Sequence, residues 1–245
     1  AGSVSLARRA AAVVAKCAVR LPNVVTMVVE GKALPALVAA VVHEGKAHEE
    51  AEEAPRIVDV TDAASAAAEA EAEATAADAE EAAATEEEMV GSAVRILTAC
   101  AQRKEGAVAI CEGGALPCLV KLLTRSDEML RGNAALCIAN CAHEERSLAV
   151  LAVLPVVAPL LAIAHTAKGA CQKNAAIALG RLANCSDELA EAVVSNEILP
   201  QLVYSLSEQN RFYKQAAAFV LRAVAKHSPP LAQAVVDSGA LDSLV

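Results

Sequence analysis

The chain has 245 residues, of which 56% are hydrophobic and 2% aromatic, and it carries a formal net charge of −9. This length and hydrophobic content are sufficient for a large core, in one extended domain or two compact ones. The sequence has no uninterrupted apolar stretch of about 18 residues, so it predicts no membrane span. Abundant alanine with few turn residues favours closely packed helices, because small side chains let helix backbones approach one another.

A short apolar phrase occurs five times along the chain, in four copies with a Leu-Pro pair near its start. The copies span residues 30–42, 112–123, 151–161, 196–206 and 238–245. Proline is tolerated at the start of a helix because the first N–H has no intrahelical partner. Pro35, Pro117, Pro155, Pro200 and the equivalent Asp242 are separated by 82, 38, 45 and 42 residues. A period near 40 built from helices alone predicts an α-solenoid.

A longer apolar helix follows each short one. Residues 211–226 have only a narrow polar strip, which predicts a helix packed between neighbours. The strip consists of Arg211, Lys214, Gln215, Arg222 and Lys226, and the predicted buried face consists of Phe212, Ala216, Phe219, Val220, Ala223 and Val224. A further short segment precedes most of the short apolar phrases, so each repeat is predicted to have three helices.

This three-helix order resembles the armadillo repeat. The resemblance implies an all-α, right-handed armadillo-type α-solenoid of about five three-helix repeats. The pattern starts inside a third helix and stops inside a second helix, so we expect the solenoid to be truncated at both ends. Residues 1–43 are predicted to hold part of the first repeat and the start of the second. Residues 89–245 are predicted to hold the remaining repeats, the last one incomplete.

Residues 44–88 form an insert between a second helix and its third helix. The insert has 16 acidic residues against only Lys46 and Arg56, and it is otherwise rich in alanine. Such a composition buries too little apolar surface to order itself, so we predict an acidic disordered insert. Without its 14 net negative charges the rest of the chain carries +5. That mild charge, without interleaved aromatic residues, predicts no nucleic-acid binding.

The sequence predicts no catalytic, cofactor or metal site and no small-molecule substrate. It has no GxSxG, no phosphate-binding GxxxxGK and no HExxH motif, so we predict that the chain is not an enzyme. The eight cysteines are predicted to be reduced. Cys137, Cys141 and His143 share the spacing of metal ligands on one helix face, but no second ligand pair completes a zinc shell.

The armadillo resemblance implies a concave groove, lined by the third helices, that holds an extended peptide. Peptide-binding members use asparagines near the ends of these helices, together with tryptophans. Asn140 aligns with this ladder, but the equivalent positions are Cys17, Ala99, Arg181 and Ala223 and the chain has no tryptophan. The groove therefore does not resemble that of a nuclear-import receptor.

Cations on successive third helices favour an acidic, extended protein segment as the partner. The chain's own insert is a second candidate ligand of the same charge. The alternative is that these residues are ordinary solvated surface charges. The candidate groove residues are Arg131, Asn140, Arg181, Asn184, Arg211, Lys214, Arg222 and Lys226.

Residues 174–245 resemble the armadillo proteins of the central apparatus of motile cilia and flagella. The phrases ALGRLAN, ILPQLVYSL, QNRFYK and HSPPLAQAVVD carry this resemblance. It implies a non-enzymatic scaffold in the cytoplasm and the ciliary axoneme, binding central-apparatus subunits or tubulin.

Residues 90–173 resemble the armadillo part of tetratricopeptide repeat proteins that assemble axonemal dynein. The phrase RGNAALCIANCA carries this second resemblance. It implies the alternative of a cytoplasmic adaptor or assembly factor for dynein arms. The two resemblances also leave open whether the chain is a chimaera of two armadillo proteins or a single divergent ciliary protein.

Overall fold

The computed structural model describes residues 37–39, 41–42, 88–195, 198–207 and 211–244. All regular secondary structure in these ranges is helical, which confirms the all-α prediction. Residues 1–36 and 43–87, which include almost the whole predicted insert, lie outside the described residues. Glu88, which the sequence analysis counted as the last residue of the insert, lies in a helix over residues 88–100.

The helices occur in a repeating order of two short ones followed by a long one. We label the helix over residues 88–100 α1. The next six are α2 (Lys104–Glu112), α3 (Ala115–Leu122), α4 (Glu128–Cys141), α5 (Glu145–Val153), α6 (Val157–Thr166) and α7 (Gly169–Cys185). The last five are α8 (Asp187–Ser195), α9 (Leu199–Leu206), α10 (Arg211–Ala225), α11 (Pro229–Asp237) and α12 (Ala240–Leu244).

Three complete three-helix repeats lie within the described residues. They are α2 to α4, α5 to α7 and α8 to α10, with the third helix α1 before them and the short helices α11 and α12 after them. The second helix predicted before the insert packs on the first complete repeat, since the Cys118 thiol lies 3.9 Å from the Val42 carbonyl oxygen. The helix before the insert therefore contacts the repeat that follows the insert.

Local sequence explains where several helices begin. The Asp127 carboxylate accepts hydrogen bonds from the backbone N–H groups of Met129 and Leu130 at 2.7 and 3.3 Å, which caps α4. Pro200 stands in the first turn of α9, where its missing N–H costs nothing. The starts of α4 and α9 therefore follow from the chemistry of the residues at those positions.

The third helices α1, α4, α7 and α10 run parallel and in register. Side chains near both ends of these helices donate hydrogen bonds to the carbonyl of a residue 42 positions earlier, in the preceding third helix. The pairs are Asn140 to Thr98, Asn174 to Gly132, Arg181 to Ala139 and Lys226 to Asn184. A constant separation of 42 residues agrees with the period near 40 predicted from the short apolar phrases.

The core lies between the repeats, and α10 departs from its predicted face at two positions. Phe212 is 52% exposed and Phe219 is half-buried, so the prediction that both belong to the buried face is wrong. Arg211 and Arg222 lie over these rings, at 4.7 and 5.5 Å from the ring centroids, where they shield the aromatic faces. The other four predicted apolar positions of α10 are buried.

Tyr213 is the large aromatic side chain that α10 buries instead. It is fully buried, and its hydroxyl donates to the Ala164 carbonyl oxygen of α6 at 3.2 Å. A buried tyrosine needs such a partner because an unpaired hydroxyl would lose its hydrogen bonds to water. This contact joins the third complete repeat to the second.

Among the described helices, none is by itself long and apolar enough to span a membrane. The helices α5 and α6 reach that length and composition only together, and they meet at an angle of 84°.

Candidate binding groove

The parallel third helices form a groove of about 590 Å³ where α1, α4 and α7 end. We call it the end groove. It is lined by Gln102, Leu136, Asn140, Ala142, His143, Arg181, Asn184 and Cys185. This lining has amides, an imidazole and a guanidinium, but no carboxylate.

Two further grooves lie at the opposite edge, where the third helices begin. The groove between the starts of α1 and α4 has a volume of about 460 Å³, and its charged lining residues are Glu88, Arg95 and Asp127. The groove between the starts of α4 and α7 has about 310 Å³ and includes Glu128 and Lys168. Both carry charges of both signs, unlike the end groove.

Asn140 and Arg181 form a hydrogen-bonded relay across three third helices. The Asn140 side chain is buried, and its Nδ2 donates to the Thr98 carbonyl oxygen of α1 at 2.9 Å. Its Oδ1 accepts a hydrogen bond from Arg181 Nη1 of α7 at 2.7 Å. The same Nη1 donates to the Ala139 carbonyl oxygen at 3.0 Å. The amide orientation is fixed, because arginine can only donate.

The next contacts along this edge join α7 to α10. The Lys226 Nζ donates to the Asn184 carbonyl oxygen at 2.5 Å. The His227 ring follows directly, with Nε2 against the Ala183 carbonyl oxygen and Nδ1 against the Asp187 carboxylate. Asn184 therefore lines the end groove, and its backbone carbonyl oxygen accepts a hydrogen bond from the Lys226 ammonium.

The remaining predicted cations do not line the end groove. Arg131 is half-buried in the first turn of α4, about 14 Å along the helix from Asn140. Arg211 and Lys214 lie at the start of α10, and Arg222 is exposed above Phe219. The predicted single strip of cations is therefore divided between the two edges of the concave surface.

Sequence reasoning missed several residues of the end groove. Gln102 and Leu136 were not singled out, and His143 was considered only as a metal ligand. The repeat period could have predicted them, because residues near the end of each long helix recur at that period and line the same groove. Their side chains were too different in chemistry to look like a motif.

The cysteines among the described residues lie mostly in the core. Cys100, Cys137 and Cys141 are fully buried, and burial raises the pKa of the Cys100 thiol to about 11. A hydrogen bond with Cys137, together with burial, raises the pKa of the Cys141 thiol well above its usual range. His143, by contrast, is exposed, and the described residues contain no group of three or more potential ligands arranged to hold a metal ion.

No protein-family model matches the chain. Its similarity to curated proteins is short and partial. Sperm-associated antigen 6 of Mus musculus is 76% identical over 46 residues, which is 19% of this chain and 9% of that protein. Tetratricopeptide repeat protein 12 of Homo sapiens is 40% identical over 77 residues, which is 31% of this chain and 11% of that protein. The chain thus matches about a tenth of the length of each relative, and both predicted resemblances are confirmed at this extent.

The solved structures that resemble the chain decide the fold. A designed armadillo repeat protein superimposes with a TM-score of 0.72 at 21% identity, covering 97% of this chain and 83% of that one. The chain has the armadillo-repeat fold. A second designed armadillo repeat protein, in complex with the peptide (KR)4, matches with a TM-score of 0.68 at 20% identity, covering 97% and 82% of the two chains. The prediction of an armadillo-type solenoid is therefore confirmed.

Proposed function

We propose that the chain is a non-enzymatic protein-interaction scaffold of motile cilia and flagella. Its end groove binds an extended, acidic segment of an axonemal protein, either a central-apparatus subunit or another microtubule-associated component. The observation that carries this proposal is the end groove itself, an open surface with cationic and amide side chains and no carboxylate. The proposed location in the cytoplasm and axoneme is supported by the 76% identical segment of sperm-associated antigen 6.

The form of the groove favours a protein segment over a compact ligand. Side chains from three successive third helices line it, so a ligand would contact several repeats at once. An extended chain suits such a surface, because its backbone amides and side chains repeat at short intervals along the groove. The half-buried Leu136 supplies apolar contact area among the polar groups.

A second candidate function is that of a cytoplasmic adaptor for the assembly of axonemal dynein arms. The observation that favours it is the match to tetratricopeptide repeat protein 12, which covers 31% of this chain against 19% for sperm-associated antigen 6. Both functions use the same groove and differ in where the partner is found.

The two functions are separated by capturing partners from two sources. The tagged chain is incubated with cytoplasm from ciliated cells and with extracts of isolated axonemes, and bound proteins are identified by mass spectrometry. We expect central-apparatus proteins from axonemes, and co-sedimentation of the chain with axonemal microtubules. Recovery of partners only from cytoplasm, with dynein chains among them, contradicts the scaffold and supports the adaptor.

The groove is tested in the same capture with a double variant, Arg181→Gln and Lys226→Gln. We expect it to lose the axonemal partners. The control is Arg146→Gln, which removes one of the two positive charges that the double variant loses, from α5, outside the groove, where Arg146 pairs with Glu112 at 2.6 Å. Equal losses in both proteins would show that the groove is not the binding surface.

A further inference from the structure

The Arg181 guanidinium is held at one edge and open at the other. Its Nη1 makes both hydrogen bonds to the groove wall, to the Ala139 carbonyl oxygen and the Asn140 Oδ1. A guanidinium has five N–H donors, of which Nη1 supplies two. The other three, on Nε and Nη2, have no partner among the described residues. The nitrogens Nε and Nη2 form the second edge of the guanidinium plane, on a side chain that lines the end groove.

The wall that holds Arg181 is itself rigid. Asn140 is 5% exposed, and its Nδ2 is bound to Thr98, so its Oδ1 cannot turn away from the guanidinium. An arginine fixed in this way loses little side-chain entropy when it binds a ligand. Its planar fork also matches the two oxygens of a carboxylate.

The surroundings of Arg181 leave its charge available. No carboxylate lines the end groove, and the neighbouring side chains His143 and Asn184 can both donate hydrogen bonds. The Lys226 ammonium adds a second positive charge beside the groove, at the Asn184 carbonyl. An anionic group placed against Arg181 therefore meets donors from the turn after α4, from α7 and from the residue after α10, and no opposing acid of the groove lining.

We propose that the outer edge of Arg181 is a carboxylate-binding site, which takes an Asp or Glu side chain of the extended segment in the end groove. This inference rests on the proposed function only in that the ligand is a protein segment.

The test measures binding of three fluorescent peptides to the full chain by anisotropy, at low and at physiological salt. The probes are ten-residue peptides of alternating Glu-Ser, Gln-Ser and Lys-Ser. We expect the Glu-Ser peptide alone to bind, and more weakly as salt rises. Arg181→Gln should weaken binding about tenfold and Arg181→Lys about threefold, because lysine keeps the charge but loses the fork. Arg146→Gln should leave the affinity within about twofold.

An independent readout comes from Cys185, which is exposed and lines the same groove. The Glu-Ser peptide should slow alkylation of Cys185 in the original protein and not in Arg181→Gln. Circular dichroism on each variant confirms that it is folded, and Arg181→Lys serves as the test variant if the glutamine form is not.

Three results would overturn the proposal. They are equal binding of the Gln-Ser peptide, equal weakening by Arg146→Gln, and no binding of the Glu-Ser peptide. Failure of the proposed function looks different, because axonemal partners would then not be captured at all. If partners are captured equally by Arg181→Gln and by the original protein, the scaffold stands and the carboxylate site is wrong.

Discussion

The two edges of the concave surface differ in what their cations contact. At the edge where the third helices end, Asn140, Arg181 and Lys226 each donate to a carbonyl of the preceding third helix. At the edge where they begin, Asp127 caps its own helix, and Lys214 makes no hydrogen bond or ion pair with another described residue. The cations Arg181 and Lys226 at the end edge therefore join successive repeats, whereas Lys214 at the start edge does not.

The physical reason is the parallel arrangement of the third helices. The last four carbonyls of a helix have no intrahelical partner and carry partial negative charge. Because these helices run parallel, all such carbonyls lie along one edge, where donors from the next repeat satisfy them. The start edge does not call for one kind of charged side chain in the same way. The helix α4 begins with acidic Glu128, while α7 and α10 have no acid in their first turns. Counting cations in the sequence thus does not measure binding capacity.

The largest effect that tests this contrast is expected from a glycine at the end edge. A Cβ at Gly106 would lie 2.1 Å from the Cys100 carbonyl oxygen at the end of α1, and backbone cannot move aside cheaply. We expect Gly106→Ala to lower the free energy of unfolding by about 3 kcal/mol. The control at the start edge is Gly91→Ala, where nothing lies within 4 Å of the added methyl. Urea unfolding should show a gain of about 0.5–1 kcal/mol there, and equal losses would contradict the contrast.

A smaller effect is expected from polar side chains of the two edges. Asn140→Ala removes the donor to the Thr98 carbonyl oxygen and leaves Arg181 Nη1 with only the Ala139 carbonyl oxygen. We expect a loss of about 2 kcal/mol in the free energy of unfolding. Lys214→Gln at the start of α10 should change it by less than about 0.5 kcal/mol. If urea unfolding shows that Lys214→Gln lowers the free energy of unfolding as much as Asn140→Ala does, side chains of the start edge also stabilise the fold.

The Glu144 carboxylate, in the turn after α4, should give the stability an acid dependence. Burial acts to raise the pKa of Glu144, but hydrogen bonds from the backbone N–H groups of Ser147 and Arg146 outweigh it, and the pKa is lowered below its ordinary 4.5. The folded protein therefore binds this proton less readily than the unfolded chain does. The stability that Glu144 contributes is present at neutral pH and is lost as the pH falls through the lowered pKa.

Glu144→Gln should remove this part of the acid dependence. Urea midpoints measured between about pH 6 and about pH 3 should fall less steeply for the variant than for the original protein. Glu145→Gln removes the same charge from the exposed neighbouring position and should keep the original slope. Identical slopes for all three proteins would mean that folding does not lower the pKa of Glu144.

The smallest perturbation is a chemical label on the cysteines. Cys185 is exposed at the end edge, whereas Cys100 is fully buried and its pKa is raised to about 11, which leaves almost no reactive thiolate. Brief treatment of the folded protein with iodoacetamide should modify Cys185 and leave Cys100 intact, as read by peptide mass spectrometry. Modification of Cys100 at a similar rate would indicate that the seam between α1 and α4 opens readily.

Much of the fold could be predicted from the sequence, because it depends on apolar periodicity. The helix predicted over residues 211–226 is observed as Arg211–Ala225, and the short apolar phrase over residues 196–206 contains the helix Leu199–Leu206. The three-helix order followed from the position of proline and from the alternation of short and long apolar phrases. These signals are local in the sequence, so they can be recognised without knowing which repeats are in contact.

The site was predicted less well, because it depends on contacts between residues about 42 positions apart. Nothing within α7 indicates that Arg181 bonds to Asn140, since that requires the register of two helices. Phe212 was misassigned for the same reason: an apolar helix face can extend beyond the part that a neighbour covers. The Arg211 guanidinium over this exposed ring is a contact that periodicity cannot reveal.

The relay from Thr98 through Asn140 to Arg181 also has a mechanical consequence. Its hydrogen bonds tie three successive repeats at one edge of the concave surface. Flattening the solenoid would lengthen these hydrogen bonds, so they oppose a loss of its curvature. In a repeat array, where each unit contacts only its neighbours, stiffness is set locally at each seam. A ligand held by Arg181 would therefore stiffen the array at the seam between α4 and α7.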